Sequence, residues 1–191
     1  MKKTIITVML ALVAIMGQAQ NLTKPNYPEI PLPEIPEELK PASQQKIEAA
    51  RKLQDIKMNM DWICILYESI ADVSENMKNQ GMLTADFKRI TQKNKELDKQ
   101  WKGFFKSLKD IDIPSSEAPQ LYDRFYNGIL TFYSEQNKVI AKLQNDYGTL
   151  SKEIQEAQSI VIKLSEKYNK ERKKTLDKMT RRRKLSSLQT R

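Results

Sequence analysis

Histidine does not occur in this 191-residue chain, cysteine occurs once and glycine five times. Without histidine, both the commonest general base and the commonest metal ligand are missing. The single Cys64 has no imidazole to activate it as a nucleophile, and one thiol cannot build a disulfide framework. The glycines Gly17, Gly81, Gly103, Gly128 and Gly148 are scattered, so no phosphate-cradling loop can be drawn. Carboxylates are plentiful, but in a chain with 30% charged residues, side chains such as Glu153, Glu156 and Glu166 beside lysines read as solvated helix pairs. No constellation with defined catalytic roles emerges, so the expectation is a non-enzyme with no metal and no cofactor.

The first 19 residues read as an address. Lys2 and Lys3 make a basic start, Thr4 to Met16 is apolar, and Gly17-Gln18-Ala19 supplies small residues for a signal peptidase. Thirteen apolar residues span about 20 Å of helix, too short for a hydrocarbon core of about 30 Å. A cleaved signal peptide over 1–19 is therefore expected, and with it export to the periplasm, peripheral to a membrane if it meets one. Cys64, within Trp62-Ile63-Cys64-Ile65-Leu66-Tyr67, reads as a small buried apolar residue, with an intermolecular disulfide as the alternative.

Proline is scarce except in one place. Six of the eight prolines fall between residues 22 and 42, where the density prevents helix and favours an extended path. This proline-rich arm (20–42) carries Ile30, Leu32 and Ile35 among acidic residues. It can lie on the folded body with those side chains down, or serve as a docking strand for another protein.

After the arm the apolar residues recur at steps of three and four, the spacing of a helix seam. Ser43 suits an N-cap for a first helix over 44–80, its seam running from Leu53 to Met77 and widened by Trp62, Leu66 and Val73. Thr84 caps a second helix over 85–111, with Phe87, Ile90, Asn94, Leu97, Trp101, Phe104 and Leu108 in line. A third helix over 117–180 starts with Tyr122, Phe125, Ile129, Phe132, Gln136, Val139 and Leu143, passes a stutter at Gly148, and resumes. Folding the second helix on the third brings Asn94 level with Gln136, each the lone polar residue of its seam. Such a buried pair would fix register.

The fold expected is all-α: an elongated antiparallel bundle or coiled coil of three long helices. A continuous third helix would be about 96 Å long at 1.5 Å per residue and would outrun its partners. Its far half carries Leu150, Ile154, Ala157, Val161 and Leu164, a stripe not tolerated bare in water. Either this half extends past the others and binds another copy or another protein, or the chain turns back near Gly148 and closes a four-helix bundle.

The C-terminus holds the charge: from Lys163 to Arg191, twelve lysines and arginines stand against three acids. Lys173, Lys174, Lys178, Arg181, Arg182, Arg183 and Lys184 form the candidate basic surface, with 181–191 expected to be a disordered tail. It could be solvated, lie on an anionic membrane, or touch an acidic protein; nucleic acid is the least favoured partner, because exported proteins rarely meet it. Two functional readings follow. Exported, elongated helical subunits with few glycines resemble in plan the minor-pilus subunits of conjugative secretion systems, which implies an envelope structural or assembly protein acting through docking surfaces. The size, export signal, long helices and basic charge are similar to the small basic periplasmic chaperones of the Skp family, which implies a holdase. A surface or polyanion binder using the basic C-terminus is compatible with either.

Overall fold

Ser43 starts the helical body as a capping residue should: the Lys46 backbone N–H donates to its Oγ at 3.4 Å. In the computed structural model, which describes residues 36–40, 43–75, 80–147 and 152–189, four helices follow. They are α1 (Gln44–Glu75), α2 (Gln80–Leu108), α3 (Ala118–Tyr147) and α4 (Lys152–Gln189), and the described residues contain no strand. The end of α2 tightens, Lys109 donating to the Lys106 carbonyl and Asp110 to that of Ser107. Pro114 then turns the chain, its carbonyl accepting from both Glu117 and Ala118 as α3 begins.

The helices run up, down, up, down. α1 packs on α2, α2 on α4, and α4 on α3; α3 and α1 face each other across a groove lined by Ile63, Cys64, Tyr67, Phe132 and Val139. Around the bundle the order is therefore α1, α2, α4, α3. Lys88 pairs with Glu153, and further along both helices Lys167 reaches Asp98, so α2 and α4 are parallel neighbours.

The core is one continuous cluster fed by all four helices. Aromatic rings bridge its centre: Phe104 meets Phe125 edge-on at 4.8 Å, and Phe105 stacks on Tyr126 at 4.7 Å. Tyr133 of α3 stacks on Tyr168 of α4 at 6.1 Å. Such pairs add about 0.5–1.5 kcal/mol beyond the area they bury.

Several expectations need correction. Of the two arrangements expected for 117–180, the continuous helix is not found: the segment forms two helices, α3 and α4, and α4 folds back along α3. The physical cause is in α3, where Tyr126, Tyr133 and Ile140 recur every seven residues and form a second buried seam beside the one through Phe125 and Phe132. That second seam receives Tyr168 and its neighbours on α4. Burying both removes two apolar stripes from water at about 25 cal/mol per Å². Gly148, where the turn was expected, lies outside the described residues, as does Leu150.

The second helix begins at Gln80, upstream of Thr84, and ends at Leu108 instead of 111, although Ile111 remains buried. The segment 181–191 is not a disordered tail as far as Gln189: α4 continues through it, because arginine, lysine, leucine and serine offer nothing that breaks a helix. With Asp98 level with Lys167, α4 outruns the end of α2 by about 18 Å. Of the proline arm only its end is described, and there the path is a single 3-10 turn at Glu37–Leu39, not extended chain. Leu39 is buried and Arg124 of α3 holds Glu38 at 2.5 Å. Ile30, Leu32 and Ile35, and the signal-peptide segment 1–19, lie outside the described residues.

Candidate interaction surfaces

A layer of polar side chains crosses the centre of the bundle. Asn94 of α2, fully buried, donates to Gln136 Oε1 of α3 at 2.8 Å, and Gln136 Nε2 returns a bond to Asn94 Oδ1 at 3.1 Å. Asn94 also donates to the Ile90 carbonyl. The Tyr67 hydroxyl of α1 donates to the same Gln136 oxygen at 3.2 Å. Three helices thus meet at one amide, which any slip in register would strip of its partners. Sequence spacing pairs Asn94 with Gln136; Tyr67, read as an ordinary seam residue, gave no sign of joining them.

A second polar cluster closes the seam between α2 and α4. Burial alone would raise the Asp98 carboxyl, but bonds from Lys102, Lys167 and the Tyr168 hydroxyl outweigh it and hold the group below its ordinary range. Tyr168 donates to Asp98 Oδ1 at 2.9 Å. Burial, with Tyr133 and Asp98 close by, pushes the Tyr168 hydroxyl upward. An acid that strongly ion-paired acts as a clamp between helices. Cys64 is half-buried at the α1–α3 groove; burial first, then Asp61 and Glu68, push its thiol up to about 11, so it is protonated and unreactive at neutral pH.

The residues expected to bind a partner divide sharply. Ala157, Val161 and Leu164 are buried against the chain's own helices, and Ile154 is partly buried on the same core. They offer no free stripe, because α2 and α3 supply the cover that a protruding helix would have needed from outside. Lys173, Lys174, Lys178, Arg181 and Arg182 are exposed on α4; Arg183 and Lys184 lie further along the same helix. Asn94 and Gln136 are inside.

Among the described residues, the exposed large apolar side chains gather on α1, with Ile162 and Leu185 of α4 standing singly. Trp62 is 57% exposed, Met58 49%, Ile65 50% and Ile47 48%. Met58, Trp62 and Ile65 follow at steps of four and three, one helical face. Trp62 was expected to widen the buried seam and does not. Asn59 takes an inward place on the α2 side, donating to Gln100 Oε1 at 2.9 Å. The sequence signal for this face was the apolar run itself, which has more large side chains than one seam can bury.

Among the described residues no group of three or more histidine, cysteine, aspartate or glutamate side chains could hold a metal, and no helix is long and apolar enough to cross a membrane. Compared with protein families, with curated proteins and with solved structures, the chain has no match. What the fold and these surfaces define is a class by architecture: an all-helical bundle with an apolar face on one helix and a basic end on another.

Proposed function

We propose that this chain is a non-enzymatic, exported structural or assembly protein of the cell envelope that works by presenting helical docking surfaces, as an accessory subunit of a conjugative or secretion machine would. The observation that carries this reading is the outer face of α1. A tryptophan, a methionine and an isoleucine, each about half exposed on one helical face, form a surface that water disfavours and a partner would cover. Tryptophan is also the side chain most often found to dominate binding energy at interfaces.

The test is crosslinking in the cell envelope with a photoreactive residue at position 58, beside Trp62. One dominant partner set, lost in the Trp62→Ser variant, is expected. A broad spectrum of unfolded exported clients, unaffected by Trp62→Ser, would overturn the proposal in favour of a holdase. Recovery from the cytoplasm of a chain with its first 19 residues intact would remove the export part of the reading.

A further inference from the structure

The densest surface charge is not confined to the C-terminal end of α4. On α2, Lys95, Lys99, Lys102 and Lys106 follow at steps of four and three, Lys109 continues the rhythm in the turn just past the helix end, and all five are exposed. On α4, Lys163, Lys170, Lys174, Lys178 and Arg181 do the same, with Lys167 completing the row at the seam. Steps of three and four keep each row on one face of its helix. Contacts fix where those faces point. Lys102 and Lys167 converge on the one Asp98 carboxylate, and about three to four turns nearer the helix starts, Lys88 pairs with Glu153. The two rows therefore flank the same α2–α4 seam on its outer side. Because the helices are parallel, the rows run side by side for about 17 Å on α2 and about 27 Å on α4. Two acids stand at the centre and both are already held by these lysines: Asp98, mostly buried, by Lys102 and Lys167, and Glu171 by Lys167.

We infer that this two-helix cationic face is a docking surface for a bilayer carrying anionic phospholipid, which meets it broadside. Charge complementarity chooses the partner, and shape chooses between polyanions. Two parallel rows on adjacent helices make a broad, flat array in which every ammonium can sit at headgroup level, whereas a duplex rod touches a flat face only along a line. The rows hold no aromatic side chain on which bases could stack. Lysine outnumbers arginine in them, so the bidentate contacts used to read guanine are scarce. Where the α4 row leaves the bundle it ends in Leu185, 63% exposed, a side chain that a bilayer interface accepts. Binding is peripheral, since no apolar stripe accompanies the charges into the membrane.

This inference is independent of the docking face on α1, which points away from the α2–α4 seam, and either can fail alone. The test is co-sedimentation of the chain from Gln20 onward, which keeps every described residue and omits the apolar segment that would insert by itself. The probes are vesicles of phosphatidylcholine with and without phosphatidylglycerol. Binding is expected only with the anionic lipid, and it should vanish as salt rises from about 0.1 M to 1 M and the screening length falls from about 10 Å to 3 Å. The decisive variant is Lys95→Gln, Lys99→Gln, Lys106→Gln and Lys109→Gln together, which leaves the C-terminal end of α4 untouched. Each lysine at such a surface is worth up to about fivefold in affinity, so a loss of at least about tenfold is expected. The control removes as many cations on the other side through Lys40→Gln, Lys46→Gln, Arg51→Gln and Lys57→Gln, and should leave binding within about twofold. Unchanged binding in the α2 variant, equal loss in the control, or tighter binding to duplex DNA than to vesicles would each overturn the inference.

Discussion

α1 and α4 occupy opposite corners of the bundle and solve the same problem in opposite ways. Each buries one stripe: Ile56, Ile63 and Tyr67 on α1, Ala157, Val161 and Tyr168 on α4. Each also carries an outer face that the core does not use. On α1 that face is apolar, with Trp62 at its middle; on α4 it is cationic, from Lys163 to Arg181. Contacts made by the first are non-directional and persist or strengthen in salt, while those of the second fade within a Debye length as ions are added. One small bundle can therefore engage a protein on one flank and a charged surface on the other, and ionic strength separates the two.

The largest effect comes from placing the same charge on each helix. Val161→Asp puts a carboxylate at a position without solvent exposure, and should cost more than about 4 kcal/mol, enough to unfold the domain. Ile65→Asp, on the outer face of α1, should change stability by no more than about 0.5 kcal/mol. Thermal melts followed by circular dichroism decide it. Equal, small losses in both would mean that α4 does not pack back on the bundle.

The next effect separates the polar layer from the apolar core around it. Gln136→Leu leaves Asn94 and the Tyr67 hydroxyl without their shared partner, and should cost about 1–3 kcal/mol in a urea titration. Adding Asn94→Leu should recover part of that loss, since removing both partners is cheaper than orphaning one. A strictly additive double variant would show that the two amides are not coupled.

Asp98 gives a smaller effect that appears only in acid. Its folded carboxyl is held below the ordinary value, so the stabilisation it confers is complete above the unfolded pKa and is lost as pH falls through the folded one. The wild-type chain should therefore lose stability below about pH 4. Asp98→Asn should be less stable at neutral pH and flatter across that range. Parallel pH profiles would mean that the clamp between α2 and α4 carries no protonation-linked energy.

These contrasts also explain what the sequence could and could not reveal. The seams of α2 and α3 were legible because each has a clear three–four rhythm with one polar member, and Asn94 with Gln136 follows from that alone. The fold-back of α4 was legible only as one of two alternatives, because no proline marks it and Gly148 is compatible with a helix that bends or ends. The clue was present in Tyr126, Tyr133 and Ile140, a second heptad row that only a further helix could bury. On α1 the rhythm is blurred by apolar side chains on every side, so spacing could not choose which face goes in. That choice was made across the interface: Asn59 finds an acceptor in Gln100 of α2, and the Trp62 indole, about 140° around the helix from Tyr67, is left outside. The cationic face was half legible, because the lysines of α2 look like ordinary solvated positions until α4 is laid beside them.

The smallest effect on the fold is the sharpest on function. Trp62→Ser removes a side chain that is more exposed than buried, so its stability cost should stay within about 0.5 kcal/mol. The same change deletes the largest apolar surface on α1, and if a protein covers that face, most of the binding energy goes with it. Fluorescence makes the two outcomes separable. The other tryptophan, Trp101, is buried among Phe104, Phe105 and Phe125, so the red-shifted part of the emission belongs to Trp62 and should disappear in the variant while the melting curve stays in place. A variant that melts early, with the blue emission of Trp101 moving red, would show that Trp62 supports the bundle. The apolar face of α1 would then be part of the fold's own stability, and the contrast with α4 would reduce to one of charge.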